Sequence, residues 1–293
     1  MSQFYRRLPR LQYFLPKTLD EALSFLKEHK AAARLFAGGT DLIPQLKKRE
    51  TDIPLYLVDL KGIQGLDAIT YDEVAGLKIG PLATISAIAT CPFVQDHYPS
   101  LFQAASSMAS PQVRNRGTFA GNICSAVPSA DSAPALLALE ASVRLLGRKG
   151  EREVPIGQFF TGPRKTVLEA DEMLLEIGVP SPKPGSRGVY LKLSPRHSMD
   201  LAIVGVAAVG TCEDGMCKDI KIALGAVAPT PIRVPAAEAT LEGKRVTPGI
   251  IEEASQKAAS QCSPIDDHRA SQEYRRDMVY ILARRALNRV LVQ

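Results

Sequence analysis

Hydrophobic and polar positions follow a helical period early in the chain and then change repeatedly. Apolar residues recur at spacings of three and four from Leu19 to Leu26, and Thr18 with Glu21 forms a capping box in front of them. This pattern predicts a helix that ends near Lys30. Similar patterns predict strands at 34–37, 55–60, 77–80, 143–146 and 173–179, and helices at 42–48, from about 84, at 99–110 and at 132–141. The alternation indicates α/β lobes.

The pattern changes after a proline-rich segment. Pro180-Ser-Pro-Lys-Pro-Gly185 has three prolines in five residues and can continue neither a helix nor a central strand. We therefore predict a domain boundary here, with one domain at 1–180 and another at 186–293. Beyond it, runs rich in Val, Ile and Ala at 201–212 and 217–227 predict an antiparallel hairpin, and helices are expected at 248–260 and 271–292.

Composition and charge narrow the class of protein. The 293 residues are 45% hydrophobic with a mean hydropathy of −0.02, which is typical of a globular protein with apolar surface to bury. No apolar stretch reaches the roughly 20 residues that a membrane span needs, and no apolar run follows the first arginines, so we expect a cytoplasmic protein without a membrane span. The net charge of +5 is mild, and nucleic acid is not an expected partner.

Cysteine and histidine positions argue against a metal centre in this chain. The five cysteines are odd in number and scattered, and they contain no Cys-x-x-Cys pair. The four histidines share no ligand spacing. We therefore expect reduced thiols and neither a zinc nor an iron–sulfur site.

Two glycine-rich loops are the candidate binding segments for an anion. The first, Ala37-Gly38-Gly39-Thr40-Asp41, lies between a predicted strand and a predicted helix, where several main-chain N–H groups would converge on an anion. The alternative is an ordinary tight turn with Asp41 as helix N-cap. The second loop, Gly117-Thr-Phe-Ala-Gly121-Asn122, lies in a stretch from 113 to 122 without any regular period, and also offers amides.

Neither loop has the features of phosphate-transfer chemistry. No Lys-Ser/Thr pair follows either loop, and neither fits the Gly-x-Gly-x-x-Gly dinucleotide fingerprint. Amides and hydroxyls without lysine or metal suit a diphosphate that only anchors a cofactor.

Three segments together resemble a known family. They are Phe36-Ala-Gly-Gly-Thr-Asp-Leu42, Arg114-Asn-Arg-Gly-Thr-Phe-Ala-Gly-Asn-Ile123 and Pro128-Ser-Ala-Asp131. The sequence resembles the FAD-binding medium subunits of molybdenum hydroxylases, such as those of xanthine and carbon monoxide dehydrogenases, from Phe14 to the last helix. The resemblance implies an α+β fold: a two-lobed FAD-binding domain of the vanillyl-alcohol-oxidase type, then a smaller domain with an antiparallel sheet and helices.

The resemblance also implies FAD contacts at particular positions. On the first loop these are Leu35, Phe36, Ala37, Gly38, Gly39, Thr40, Asp41 and Leu42, and on the second Gly117, Thr118, Ala120, Gly121 and Asn122. Asp131 matches a position that hydrogen-bonds the ribityl or adenosine side, and Met108 one that packs near the cofactor. Leu175 and Lys192 match positions beside the isoalloxazine, and Tyr190 in the family's Tyr-x-Lys places its ring near the flavin. No catalytic residue and no metal ligand is implied.

Each of the outlying assignments has a structural alternative. Asp131 could cap the helix that follows it, Leu175 and Tyr190 could be core residues, and Lys192 could be solvated at the surface. Cys124 is the only thiol near the expected cofactor, and a small buried side chain is the preferred interpretation.

The second loop departs from the family at one position. The family usually has Thr-Ile-Gly-Gly-Asn, whereas Ala120 stands here in place of a glycine. Because a left-handed alanine costs about 1–2 kcal/mol, we predict a negative φ at Ala120.

The resemblance implies a role in electron transfer. The leading hypothesis is an FAD-carrying subunit that receives electrons from 2Fe–2S clusters on a small partner subunit and passes them to NAD or another acceptor. Molybdopterin would lie on a large subunit, and the assembly would be a heterotrimer that pairs into a dimer. Two alternatives stay open: a self-sufficient flavin oxidase with its own substrate site, and a noncatalytic nucleotide-binding module.

Overall fold

The first lobe is a small parallel sheet with two helices. The computed structural model describes residues 7–196 and 199–292. The elements of this lobe are β1 (Gln12–Phe14), α1 (Leu19–His29), β2 (Ala33–Phe36), α2 (Leu42–Lys48) and β3 (Tyr56–Asp59). The sheet order is β1-β3-β2, and both pairings are parallel. Parallel pairing places the carboxyl ends of β2 and β3 at the same edge, so the loop after β2 leaves the sheet beside Asp59.

Helix α1 begins and packs as its sequence predicts. The Thr18 hydroxyl accepts a hydrogen bond from the Glu21 N–H, and the Glu21 carboxylate accepts one from the Lys17 N–H. The buried face consists of Ala22, Leu23 and Leu26. Burial of these side chains against the sheet stabilises the helix.

The second lobe is built on a five-stranded antiparallel sheet. Its elements are β4 (Ile69–Asp72), β5 (Gly76–Ile79), α3 (Ile85–Thr90), α4 (Pro92–His97), α5 (Pro99–Ser107), α6 (Pro111–Arg114), α7 (Phe119–Ser125), α8 (Ser132–Ala138), β6 (Ser142–Gly147), β7 (Gly150–Pro155), α9 (Ile156–Phe159), β8 (Phe160–Gly162), β9 (Lys165–Thr166) and β10 (Met173–Val179). The order is β4-β5-β10-β6-β7, with β8 and β9 as a separate ribbon. Apolar side chains of the sheet and of α3, α5, α7 and α8 form one continuous core.

The remaining residues form a four-stranded antiparallel sheet with helices. They are β11 (Arg187–Leu193), β12 (Val204–Glu213), β13 (Met216–Gly225), β14 (Ile232–Arg233), α10 (Pro235–Leu241), α11 (Pro248–Ser260) and α12 (Gln272–Leu291). The predicted β12–β13 hairpin turns at Asp214 and Gly215, which have φ of 52° and 77°. Positive φ at both central residues suits the twist of a tight hairpin.

The core continues across the proline-rich segment. One face of the last sheet packs on α12, and the other lies on α5 and α8 of the second lobe. Tyr190, Ala207 and Ala223 therefore belong to the same buried cluster as Leu77 and Leu136. The boundary near 180–186 stays a prediction from sequence, because the packing itself is continuous there.

Most of the strongly periodic elements are confirmed, including α1, α2, α11, β10 and the hairpin. The prediction of an irregular stretch at 113–122 was wrong in part, because α6 ends there and α7 begins there. No prediction was made for β1, β4, β7, β8, β9, β14, α4, α9 and α10, or for the antiparallel arrangement of the second lobe's sheet. No helix in the described part of the chain is long and apolar enough to cross a membrane.

Candidate cofactor site

A cleft of about 710 Å³ lies where the two glycine loops meet. Its walls include residues from 34–42 and from 108–131, together with residues 196 and 199–201, which precede β12. Ligand clefts in proteins usually measure about 300–1,000 Å³, so this one has room for a large cofactor.

The first loop has no space for side chains at its two glycines. A Cβ on Gly38 would lie 2.0 Å from the Arg116 carbonyl oxygen and 2.9 Å from the Gly117 Cα. A Cβ on Gly39, which has φ of +72°, would lie 2.3 Å from the Phe36 ring. The two loops are therefore in main-chain contact, which only glycine permits at position 38.

Main-chain N–H groups of the first loop are available to a ligand. Within the described part of the chain, no hydrogen bond is made by the amides of Thr40, Asp41 and Leu42. Asp41 stands at the N-cap position of α2, but its side chain makes no capping hydrogen bond. The alternative interpretation, an ordinary turn capped by Asp41, therefore lacks its defining contact, and the loop suits an anion.

The second loop is ordered by its own side chains. The Thr118 hydroxyl caps α7 by accepting from the Gly121 N–H at 2.9 Å, and the Gly117 carbonyl accepts from the Ile85 N–H at 2.8 Å. The Asn122 Oδ1 accepts from the Ser132 hydroxyl at 2.6 Å. These contacts fix the second loop against α3 and α8 before any ligand binds.

Ala120 has the conformation predicted for it. It lies within α7 and is absent from the described residues with positive φ. Helical geometry explains why alanine is accepted where the family usually has glycine. The positive φ values nearby fall instead at Ala109 and Ala126, which sequence reasoning did not anticipate.

Behind the cleft, three polar side chains form a buried group that joins two parts of the fold. The Tyr190 hydroxyl donates to Asp131 Oδ1 at 2.6 Å, and the Lys192 ammonium donates to Asp131 Oδ2 at 2.8 Å. The side chains of Asp131 and Lys192 are each 9% exposed. Asp131 precedes α8, but its side chain does not cap that helix. Its carboxylate instead accepts hydrogen bonds from Tyr190 and Lys192 of β11.

Burial dominates the ionisation of this group. It raises the pKa of Asp131, while Lys192 and Tyr190 act in the opposite direction. Burial and the neighbouring Asp131 raise the pKa of Tyr190 well above its usual value. The phenol therefore keeps its proton at neutral pH.

The structure brings most of the predicted residues to the cleft. All predicted residues of both loops line it, as do Met108 and Asp131. Leu175, Tyr190 and Lys192 do not; Leu174 lines the wall where Leu175 was predicted, and Leu175 packs against a core cluster of the first lobe. Contact of each residue with FAD stays a prediction.

Several lining residues were not predicted. Arg34 comes directly before the first loop in sequence, Arg164 lies in the turn between β8 and β9, and Arg196, Met199 and Asp200 belong to the segment before β12. The last four of these residues lie in no motif, and only the folded chain brings them to the cleft. Cys124 also lines it, and burial raises the pKa of its thiol to about 12, as expected of a small buried side chain.

Family matches cover nearly the whole chain. Residues 9–182 match the family described as FAD binding domain in molybdopterin dehydrogenase. Residues 189–290 match the CO dehydrogenase flavoprotein C-terminal domain.

Individual relatives agree with this. The carbon monoxide dehydrogenase medium chain of Hydrogenophaga pseudoflava is 36% identical over 96% of each chain. The xanthine dehydrogenase FAD-binding subunit of Escherichia coli O157:H7 is 34% identical over 94% of each chain. A solved structure of the Hydrogenophaga pseudoflava carbon monoxide dehydrogenase aligns with a TM-score of 0.92 at 38% identity, covering 96% of each chain.

The glycine-lined cleft and these matches together define an FAD-binding flavoprotein. The cleft fits this cofactor, because its volume admits a dinucleotide and its first loop presents peptide N–H groups where a Cβ could not stand. More specifically, the chain belongs to the family of FAD-binding medium subunits of molybdenum hydroxylases, and it is an oxidoreductase subunit.

Proposed function

We propose that this chain is the electron-transfer subunit of a molybdenum-containing hydroxylase or dehydrogenase. It would accept electrons from 2Fe–2S clusters of a small partner subunit and deliver them to NAD or another acceptor. The substrate would be oxidised at molybdopterin on a large partner subunit. The observation that carries the proposal is the cleft between two glycine loops, in a chain that matches subunits named medium chain over almost their full length.

This chain's own residues bind and orient the cofactor. Bound FAD supplies the ability to take up electrons singly and release them as a pair. The first loop offers N–H groups to the diphosphate. The second loop packs against the first loop at Gly38. Asp131 reaches the cleft from the buried group, where Tyr190 and Lys192 fix the direction of its carboxylate.

A self-sufficient oxidase is the weaker alternative. Such an enzyme needs an acid–base group beside the flavin, and Tyr190, which the resemblance places near the flavin ring, is the obvious candidate. Its hydroxyl donates to Asp131, its pKa is raised well above the usual value, and it does not line the cleft. These three observations favour a positioning role for Tyr190.

The assembly and its location are part of the proposal. We infer a dimer of heterotrimers in the cytoplasm, made of this chain, a molybdopterin-binding large subunit and a 2Fe–2S small subunit. Support comes from relatives named as medium chains and FAD-binding subunits of dehydrogenases.

The test is the composition of the native complex. The full chain would be tagged at its own locus, purified with whatever accompanies it, and analysed for FAD, iron and molybdenum. We expect about one FAD, four irons and one molybdenum per chain, for two clusters of the 2Fe–2S type. A preparation free of iron and molybdenum that still oxidises a substrate would instead establish the self-sufficient enzyme. A full chain that binds FAD but joins no redox complex and transfers no electrons would establish the noncatalytic module.

A further inference from the structure

A polar network outside the cleft holds the first glycine loop from behind. It runs from Tyr13 through Asp59 to Lys61 and ends at the loop. The Tyr13 hydroxyl donates to Asp59 Oδ2 at 2.6 Å, and the Lys61 ammonium lies 2.7 Å from Asp59 Oδ1. Asp59 is only 3% exposed, at the end of β3.

The backbone fixes the position of Lys61 as well. Asp59 Oδ1 accepts a hydrogen bond from the main-chain N–H of Lys61 at 3.0 Å, which caps the 3₁₀ turn at Leu60–Gly62. The same carboxylate thus holds both the peptide and the ammonium of Lys61. A lysine held at two points loses little further freedom when it makes another contact.

The third contact of Lys61 is with the loop. Its ammonium donates to the Ala37 carbonyl oxygen at 2.9 Å and lies 4.1 Å from the centroid of the Phe36 ring. Lys61 does not line the cleft, whereas Phe36, Ala37 and Gly38 do. The lysine therefore contacts the loop from outside the cleft.

The hydrogen bond from Lys61 to the Ala37 carbonyl also fixes the direction of the next N–H group in the chain. In a trans peptide the carbonyl of Ala37 and the N–H of Gly38 point in opposite directions. Fixing the carbonyl toward Lys61 thus directs the Gly38 N–H away from it. Within the described part of the chain, that N–H donates to no acceptor.

We propose that Lys61 is a positioning residue for the cofactor: it holds the Ala37–Gly38 peptide so that the Gly38 N–H is offered to the diphosphate of FAD. Without the ammonium, the peptide can rotate and turn a carbonyl oxygen toward the two phosphates, which repel it. The inference rests on FAD as the cofactor of the proposed function, and it is independent of the electron donor and acceptor.

The test compares variants of the full chain freed of flavin by dialysis against potassium bromide. Lys61→Met keeps a long apolar stem over Phe36 and removes the ammonium. Lys61→Arg keeps the charge and the donors. Lys218→Met is the matched control, because Lys218 also pairs with a carboxylate, Glu213, but at the tip of the β12–β13 hairpin. FAD affinity is measured by quenching of flavin fluorescence, and ADP affinity by displacement of FAD.

We expect Lys61→Met to weaken FAD and ADP about tenfold each, because both ligands carry the diphosphate, while the absorbance spectrum of bound FAD is unchanged. Tenfold corresponds to about 1.4 kcal/mol. Lys61→Arg should regain most of the affinity, and Lys218→Met should match the wild type. Since Lys61 is 37% exposed, these variants are expected to fold, and urea unfolding of the flavin-free proteins checks this.

Three results would overturn the proposal. One is an FAD affinity of Lys61→Met within twofold of the wild type. Another is a loss of FAD affinity without a loss of ADP affinity, or with a shifted flavin spectrum, because the disturbance would then lie elsewhere than the diphosphate. The third is Lys61→Arg behaving like Lys61→Met. A wild-type chain that takes up no FAD would instead count against the cofactor itself.

Discussion

The two glycine loops meet the same cleft but are built on different principles. In the first loop, a Cβ at Gly38 or Gly39 would overlap neighbouring atoms, and Gly39 has a positive φ. In the second, Ala120 is helical, and a Cβ on Gly117 would approach its nearest neighbours only to 3.1 Å. The first loop depends on the absence of side chains, and the second on the presence of Thr118 and Asn122.

The comparison shows that the positions of a glycine-rich motif do not all require glycine for the same reason. Close main-chain approach demands glycine at position 38, whereas a helical position such as 120 accepts alanine. The loops also differ in support, since an ion pair outside the cleft holds the first and neutral hydrogen bonds hold the second. Single substitutions can test the requirement for glycine and the side-chain support of each loop one at a time.

The largest effect is expected for Gly38→Ala. The new Cβ would lie 2.0 Å from the Arg116 carbonyl oxygen, so the two loops must separate. We expect FAD affinity to fall by about a hundredfold and the free energy of unfolding by about 3 kcal/mol. Flavin titration and urea denaturation measure both.

Gly117→Ala in the facing loop is the matched control. Its Cβ would meet only tight contacts of 3.1–3.2 Å, and about 1 kcal/mol or less should be lost. Equal losses in the two variants would contradict the distinction between the loops.

The next largest effect is expected for Asp131→Asn. The amide leaves the Lys192 ammonium without its anionic partner in a buried position, and breaking such a pair costs about 3 kcal/mol. Urea denaturation measures the loss. Adding Lys192→Met should restore part of it, because the unpaired charge is then gone. If Asp131→Asn is within 1 kcal/mol of the wild type, the pair does not join these parts of the fold.

Acid should loosen the first loop before the second. Burial opposes ionisation of Asp59, but hydrogen bonds from Lys61 and Tyr13 outweigh it and hold the pKa of Asp59 below its usual value. A lowered folded-state pKa adds stability above the unfolded-state pKa of about 4, and this stability disappears as pH falls further.

Asp59→Asn tests this pH dependence. The difference in unfolding free energy between wild type and Asp59→Asn should be largest near neutral pH and should shrink below about pH 4. Denaturation curves at several pH values measure it, with Thr118→Ala as a control whose effect should not vary over that range. A difference for Asp59→Asn that is constant with pH would show that the ion pair contributes nothing.

The smallest effect is expected for Ala120→Gly. Because Ala120 is helical, glycine gains no needed conformation and loses helix propensity worth about 1 kcal/mol. FAD affinity should stay within about twofold of the wild type, measured by the same titration. A large gain in affinity would mean that alanine impairs the loop.

The sequence predicted the bounds of helices and strands most accurately where one face of the element is apolar. The helix α11 and the strand β10 have the bounds that the sequence predicts. Strand β7 was missed because Gly150-Glu-Arg-Glu lies exposed and shows no apolar face. The start of α7 was missed because its small residues, Ala120 and Gly121, show no apolar stripe, although Thr118 is a capping residue.

The site was predictable where its residues are consecutive. Both loops were found as motifs, whereas the contact of Asp131 with Tyr190 and Lys192 joins positions about sixty apart. Lys61 lies in no motif, and its role depends on β3 and β2 pairing side by side. Long-range pairing of this kind leaves no signal in a single sequence.

The continuous core across 180–186 has a consequence for how the protein unfolds. Strand β11 contributes Tyr190 to the cluster that contains Leu136 of α8. Cutting the chain between the two halves would expose this shared interior on both fragments, so neither is expected to be stable alone. The polypeptide should therefore melt as one cooperative unit, with a single calorimetric transition, despite matching two separate family descriptions.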